Sequence, residues 1–127
     1  MHEFSAACSI VDAALEGAKG HDIKRITSVN IDLGEFTFLI PEQLAFNFEI
    51  ASQNTILEGA ELKISPVKGR LLCSECGYEG EVEPDPDVPE QIAMFAPMKC
   101  PKCGSSATEI TGGKEFVITN IEAEVAT

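Results

Sequence analysis

The sequence predicts an α+β protein: two helices packed on a small three-stranded sheet, with a zinc-ribbon-like four-cysteine lobe inserted before the last strand. Three observations carry that expectation. Apolar residues recur at three and four in two stretches, strict alternation occurs in three others, and two Cys-x-x-Cys pairs stand between the second and third alternating runs.

Residues 4–18 form the first predicted helix. Ala7, Val11, Ala14, Leu15 and Ala18 make one apolar stripe while Asp12 and Glu16 fall elsewhere, and Gly17 and Gly20 supply the stop. Cys8 stands at the margin of the stripe as a small buried thiol, and His21 lies in the polar turn that follows. Residues 25–33 alternate, with Val29, Ile31 and Leu33 on one side and Ser28, Asn30 and Asp32 on the other, as in a half-buried strand. After the Gly34-Glu35 turn, Pro41 opens a second helix running to about Gln53, since its missing N–H costs nothing in a first turn. Leu44, Ala45, Phe48 and Ala51 are its buried stripe. Phe46 and Ile50 widen that apolar surface and are assigned to the core. Residues 60–66 and 115–124 read as the second and third strands.

The cysteine pairs carry the chemistry. Cys73-Ser74-Glu75-Cys76-Gly77 and Cys100-Pro101-Lys102-Cys103-Gly104 each let two thiolates bite one ion, and the glycine closes the turn at positive φ while its amide approaches a sulfur. Cys73, Cys76, Cys100 and Cys103 are therefore expected to hold one structural Zn(II) in a tetrahedral thiolate site. The glycines of Lys68-Gly69-Arg70 and Thr111-Gly112-Gly113-Lys114 look like hinges bounding the lobe. The expected division is residues 1–67 plus 114–127 as one domain and residues 68–113 as a zinc-binding domain. Within the lobe, residues 81–89 read as an exposed acidic, proline-rich loop, and Ile92, Met94, Phe95 and Met98 as a modest apolar patch. So few apolar residues cannot offset the entropy of ordering the segment, so its folding must lean on the metal.

Nine Lys and Arg against 21 Asp and Glu give a net charge of −12, which argues against nucleic acid as a partner. The lobe itself carries Glu75, Glu79, Glu81, Glu83, Asp85, Asp87 and Glu90 against Lys99 and Lys102, the wrong sign for a phosphate-binding ribbon. No signal peptide and no apolar run of transmembrane length are read, so a cytoplasmic protein without membrane contact is expected. Reduced thiols fit that compartment.

A second chemical feature lies at the start. In Met1-His2-Glu3 the α-amine, the His2 backbone nitrogen and the imidazole Nδ1 can close two fused chelate rings about one ion, a planar nitrogen-rich set suited to Ni(II) or Cu(II), and Glu3 can add its amide or carboxylate.

Met1-His2-Glu3-Phe4-Ser5 opening a helix, Ile31-Asp32-Leu33-Gly34, the helix Pro41-Glu42-Gln43-Leu44-Ala45-Phe46-Asn47-Phe48-Glu49, and the two cysteine knuckles together resemble the HypA/HybF family over essentially the whole chain. The resemblance implies a nickel metallochaperone, not an enzyme, that serves maturation of NiFe hydrogenase. Implied partners are the GTPase HypB, the hydrogenase large subunit or its maturation complex, and, for the members that also supply urease, urease maturation proteins. It implies His2 as nickel ligand, with the Met1 amine and the backbone of His2 and Glu3 completing the set, Ni(II) as transient cargo, the four cysteines as zinc ligands, and a monomer or homodimer. Two departures stand out. Ala6-Ala7 replaces the larger apolar residue that often follows the opening Ser, which bears on packing; and no histidine lies between residues 73 and 103, so a histidine-dependent change of zinc ligation is not carried over.

Two other functions use the same cysteines. A rubredoxin-like electron carrier has this four-cysteine pattern around iron, but packs an aromatic core about it where this lobe offers Tyr78 and Phe95. A zinc-ribbon adaptor would only bind proteins and would leave residues 1–3 without a role.

Overall fold

A computed structural model describes residues 3–82 and 99–125. Met1, His2, most of the acidic loop at 81–89 and the apolar patch from Ile92 to Met98 lie outside the described residues. The elements in order are α1 (Glu3–Ala18), β1 (Ile23–Gly34), a single 3₁₀ turn (Glu35–Thr37), α2 (Pro41–Ala51), β2 (Glu61–Val67), β3 (Arg70–Cys73), β4 (Glu79–Glu81), β5 (Thr108–Gly112) and β6 (Phe116–Val125). The two helices and the three long strands are those expected from periodicity. The chain divides into two compact units, one of residues 1–32, 39–65 and 117–127, the other of residues 33–38 and 66–116.

In the first unit α1 packs on α2, and the mixed sheet has the order β2-β1-β6. Ala6, Ala7, Ile10, Val11 and Ala14 are buried along one face of α1, and Leu44 and Phe48 on α2. The small residues at 6 and 7, both fully buried, keep that face of α1 low, while burial of Phe48 and Leu44 contributes about 1.5–3 kcal/mol each. Helix α1 runs past Gly17 and stops at Gly20, whose φ of +82° turns the chain. Phe46 and Ile50 are 62% and 43% exposed, so their assignment to the core does not hold. They sit one turn apart on the face of α2 opposite the Leu44–Phe48 line, and among the described residues only the Leu44–Phe48 face is buried.

On β1, Val29, Ile31 and Leu33 are buried as the alternation requires. Ser28, expected toward solvent, is only 4% exposed. Its hydroxyl donates to Glu122 Oε1 at 2.8 Å, and Lys63 Nζ donates to the same oxygen at 3.3 Å. Arg25 pairs with Glu124, Thr27 with Glu122 and Asn30 with Thr119, so β6 runs antiparallel to β1. In a mixed sheet this makes β2 the parallel neighbour, reached from β1 through α2.

The Ser28 hydroxyl and then Lys63 hold the Glu122 carboxyl below its usual range. A depressed folded pKa supplies stability that is present above the unfolded value near 4.5 and lost as pH falls through the lower folded value. Glu122→Gln is therefore expected to flatten the fall in thermal midpoint below pH 4.5 while leaving the neutral-pH midpoint within a few degrees. Because the carboxylate is half exposed, the effect is small; an unchanged acid limb would show that the Ser28–Glu122–Lys63 cluster makes no contribution.

The second unit has its own antiparallel sheet of order β4-β3-β5. Leu71 lies opposite Gly80 on β4 and Ile110 on β5, with no exposed surface, and Cys73 lies opposite Thr108. The segment 33–38 joins this unit through paired backbone bonds: the Gly34 N–H donates to Glu115 O and the Phe36 N–H to Gly113 O, both at 2.6 Å. The Phe36 ring lies where side chains at Gly69 or Gly113 would be, and Gly34 leaves room for the Gly113 carbonyl. Glu35 Oε1 accepts the Gly69 N–H, and the Glu115 carboxylate accepts the Gly113 N–H. Close packing under Phe36 thus explains glycine at 69 and 113, which the sequence suggests as hinges.

Candidate metal centre

The two cysteine pairs form matching backbone turns. In the first, the Gly77 N–H donates to Cys73 O at 3.0 Å and the Cys73 N–H to Tyr78 O at 2.8 Å; in the second, the Gly104 N–H donates to Cys100 O and the Cys100 N–H to Ser105 O, both at 2.9 Å. Each turn needs its glycine, at φ of +78° and +77°, because a side chain there would be strained. The β3 strand delivers Cys73 into the first turn, and Ser74 ties that turn to the segment after the second by donating from its N–H and Oγ to Ala107 O.

The arrangement brings all four sulfurs within 4.8 Å of one another. Cys73 Sγ is 3.6 Å from Cys103 Sγ, and Cys76 Sγ is 3.5 Å from Cys100 Sγ. A tetrahedron with Zn–S bonds of about 2.3 Å has edges of about 3.8 Å, so the donor set fits Zn(II) in chemistry and in spacing. The first cysteine of each pair is buried, the second exposed.

Electrostatics favour thiolate at the buried positions. The Cys73 thiol is lowered chiefly by the Cys76 amide, against its desolvation. Burial pushes the Cys100 thiol up, but the amides of Cys103 and Lys102, 3.5 and 3.4 Å from its sulfur, outweigh that and bring it to about 6. At Cys103 the Ser105 amide pulls down, but desolvation and the neighbouring cysteines push it up to about 12. The two buried thiols are thus both shifted toward the thiolate that a metal needs, while Cys103 is shifted away from it, an opposition that a divalent cation would reverse.

All four expected cysteines are therefore in one cluster. Of the three residues at the chain start, Glu3 is described: it is half-buried in the first turn of α1, and its Oε2 accepts the Ile40 N–H at 3.2 Å. The sequence assigns the approach to sulfur to the glycine amides, whereas Gly77 and Gly104 donate to the Cys73 and Cys100 carbonyls and the amides of Lys102 and Cys103 reach the Cys100 sulfur; the Phe36 wedge is missed altogether. The amides carry no side-chain signal, and Phe36 stands in a turn where periodicity is mute. His21 borders a shallow cleft of about 260 Å³ with Gly17, Ala18, Ile23, Ile26, Ile121 and Ala123, and Cys8 is half-buried on α1.

The family model described as hydrogenase/urease nickel incorporation, metallochaperone, hypA matches residues 1–123. Among curated relatives, the hydrogenase maturation factor HypA of Methanocaldococcus jannaschii is 39% identical over 129 residues, covering 98% of both chains. That of Methanothermobacter thermautotrophicus is 38% identical over 125 residues, again covering 98% of each. The solution structure of the Ni metallochaperone HypA from Helicobacter pylori aligns with a TM-score of 0.65 at 25% identity, covering 98% of this chain and 99% of that one. These matches run through both units, and so do not favour readings confined to the cysteine lobe.

Proposed function

This chain belongs to the HypA family, and on that premise we propose that it carries Ni(II) for hydrogenase maturation, with Zn(II) as a structural ion in the four-cysteine cluster. The observation that carries the reading is a family match that takes in residues 1–3, where the nitrogen donors stand, as well as the cysteine lobe. Nickel is cargo. It would be held by the Met1 amine, the His2 imidazole and backbone nitrogens of His2 and Glu3, weakly enough to be released to a client. Zinc supplies folding energy to the lobe and takes no part in bond making.

In this reading residues 1–67 plus 114–127 form the nickel-binding domain and residues 68–113 the zinc-binding domain. Partners are the GTPase HypB, the hydrogenase large subunit or its maturation complex and, for a second client, urease maturation proteins. The net charge of −12 raises the local cation concentration and steers the chain toward a basic patch on a partner. Among the described residues no helix is long and apolar enough to cross a membrane, and the reduced thiols the site needs fit the cytoplasm.

Titrating Ni(II) into the zinc-loaded protein, His2→Ala and a variant extended at the N-terminus tests the reading. Loss of an outer-sphere partner alone costs roughly 10–100-fold in metal affinity, so removal of a donor is expected to cost at least that in both variants, with zinc content unchanged. Equal binding by all three would overturn the terminal site.

A further inference from the structure

Helix α2 begins without a cap of its own. Ile40 is its N-cap, at φ −88° and ψ 115°, its aliphatic side chain accepts nothing, and Pro41 follows at the first helical position with no N–H to offer. In a capping box the N-cap amide is taken by Glu or Gln three residues on. The residue there is Gln43, which is exposed, and the acceptor of the Ile40 N–H is instead Glu3 Oε2, from the first turn of α1 and 37 residues away in sequence. The carboxylate thus completes a capping box across two helices and places negative charge at the positive end of the α2 dipole.

We propose that Glu3 is a positioning residue of the nickel site: its carboxylate clamps the first turn of α1 to the Ile40 amide, and so fixes the point from which Met1 and His2 depart, while coordinating no metal. The inference rests on the proposed nickel reading. A carboxylate turned toward nickel would leave the Ile40 N–H without this acceptor, whereas one kept on Ile40 lowers the ordering cost of binding at the residues just before it.

The test uses the full chain, zinc-loaded and nickel-free, followed by titration with nickel sulfate. In Glu3→Ala the Ile40 amide is expected to exchange with solvent roughly fivefold faster or more, and nickel binding to weaken by roughly three- to tenfold, with the absorption spectrum of the nickel complex unchanged. Glu3→Gln, whose amide oxygen still accepts, is expected to stay within about twofold of wild type on both measures. A nickel spectrum altered alike in Glu3→Gln and Glu3→Ala would overturn the proposal by making the carboxylate a donor. So would unchanged Ile40 exchange in Glu3→Ala. Should His2→Ala bind nickel as wild type does, the nickel reading and the site role of Glu3 fall together, while the exchange data still show whether the clamp between the helices exists.

Discussion

Cys100→Ser is expected to lose the bound zinc and to melt the β3-β4-β5 sheet while the helical signal of α1 and α2 persists. The apolar side chains buried among the described residues of 68–113 are Leu71, Cys73 and Cys100. Burying three side chains contributes several kcal/mol, whereas ordering some tens of residues costs about 1–2 kcal/mol each in backbone entropy alone. On the proposed zinc reading the metal supplies most of the difference, structural Zn(II) sites contributing about 10–16 kcal/mol in small domains at neutral pH. Cys100 is the most sensitive of the four positions because its sulfur is buried, accepts the amides of Lys102 and Cys103, and has the thiol lowered to about 6. Cys103→Ser removes an exposed sulfur raised to about 12, and is expected to retain a weaker site. Native mass spectrometry counts the metal, and amide spectra distinguish loss of the small sheet from global unfolding. A Cys100→Ser chain that keeps both its zinc and its β3-β5 amides would refute the assignment.

The first unit and the cluster are legible in the sequence for a common reason: each depends on spacing. Period-two runs at Val29, Ile31 and Leu33 and the stripe through Leu44 and Phe48 report one-sided burial, and paired Cys-x-x-Cys reports a turn that converges two sulfurs. What fails depends on the partner across the gap. Phe46 and Ile50 belong to an apolar arc too broad for what α2 packs on among the described residues, and the buried Ser28 hydroxyl is satisfied by Glu122, 94 residues away. β3, β4 and β5 are three to five residues long, too short for alternation to speak, and their pairing is set by the cysteine turns and by the Phe36 seat. The sequence leaves the Glu3 amide or carboxylate open as a metal donor, and spacing alone does not reveal that the carboxylate accepts the Ile40 N–H, 37 residues on.

Phe36 is where that hidden information has the largest mechanical consequence. Its ring is 7% exposed and covers Gly69 and Gly113, which flank the first and last strands of the small sheet, while its own N–H is bonded to Gly113 O. Phe36→Ala opens a cavity over Gly69 and Gly113, which have no side chains to fill it, and is expected to cost about 3–5 kcal/mol, a fall in thermal midpoint of roughly 10 °C or more. Gly113→Ala is expected to be nearly as damaging, because φ is +101° and the new Cβ would lie 2.6 Å from Gly69 Cα. Gly69→Ala differs from both: its φ is unremarkable, and the atoms it meets are the Phe36 ring itself. Its cost should therefore depend on Phe36. Alone it forces the ring from its seat; in the Phe36→Ala background the clash is gone and the added methyl recovers part of the lost contact. Thermal or denaturant unfolding of the two single variants and the double variant is expected to show a coupling of about 1–3 kcal/mol, the double variant being no less stable than Phe36→Ala. Strictly additive losses would mean that the ring and the glycine do not share this space.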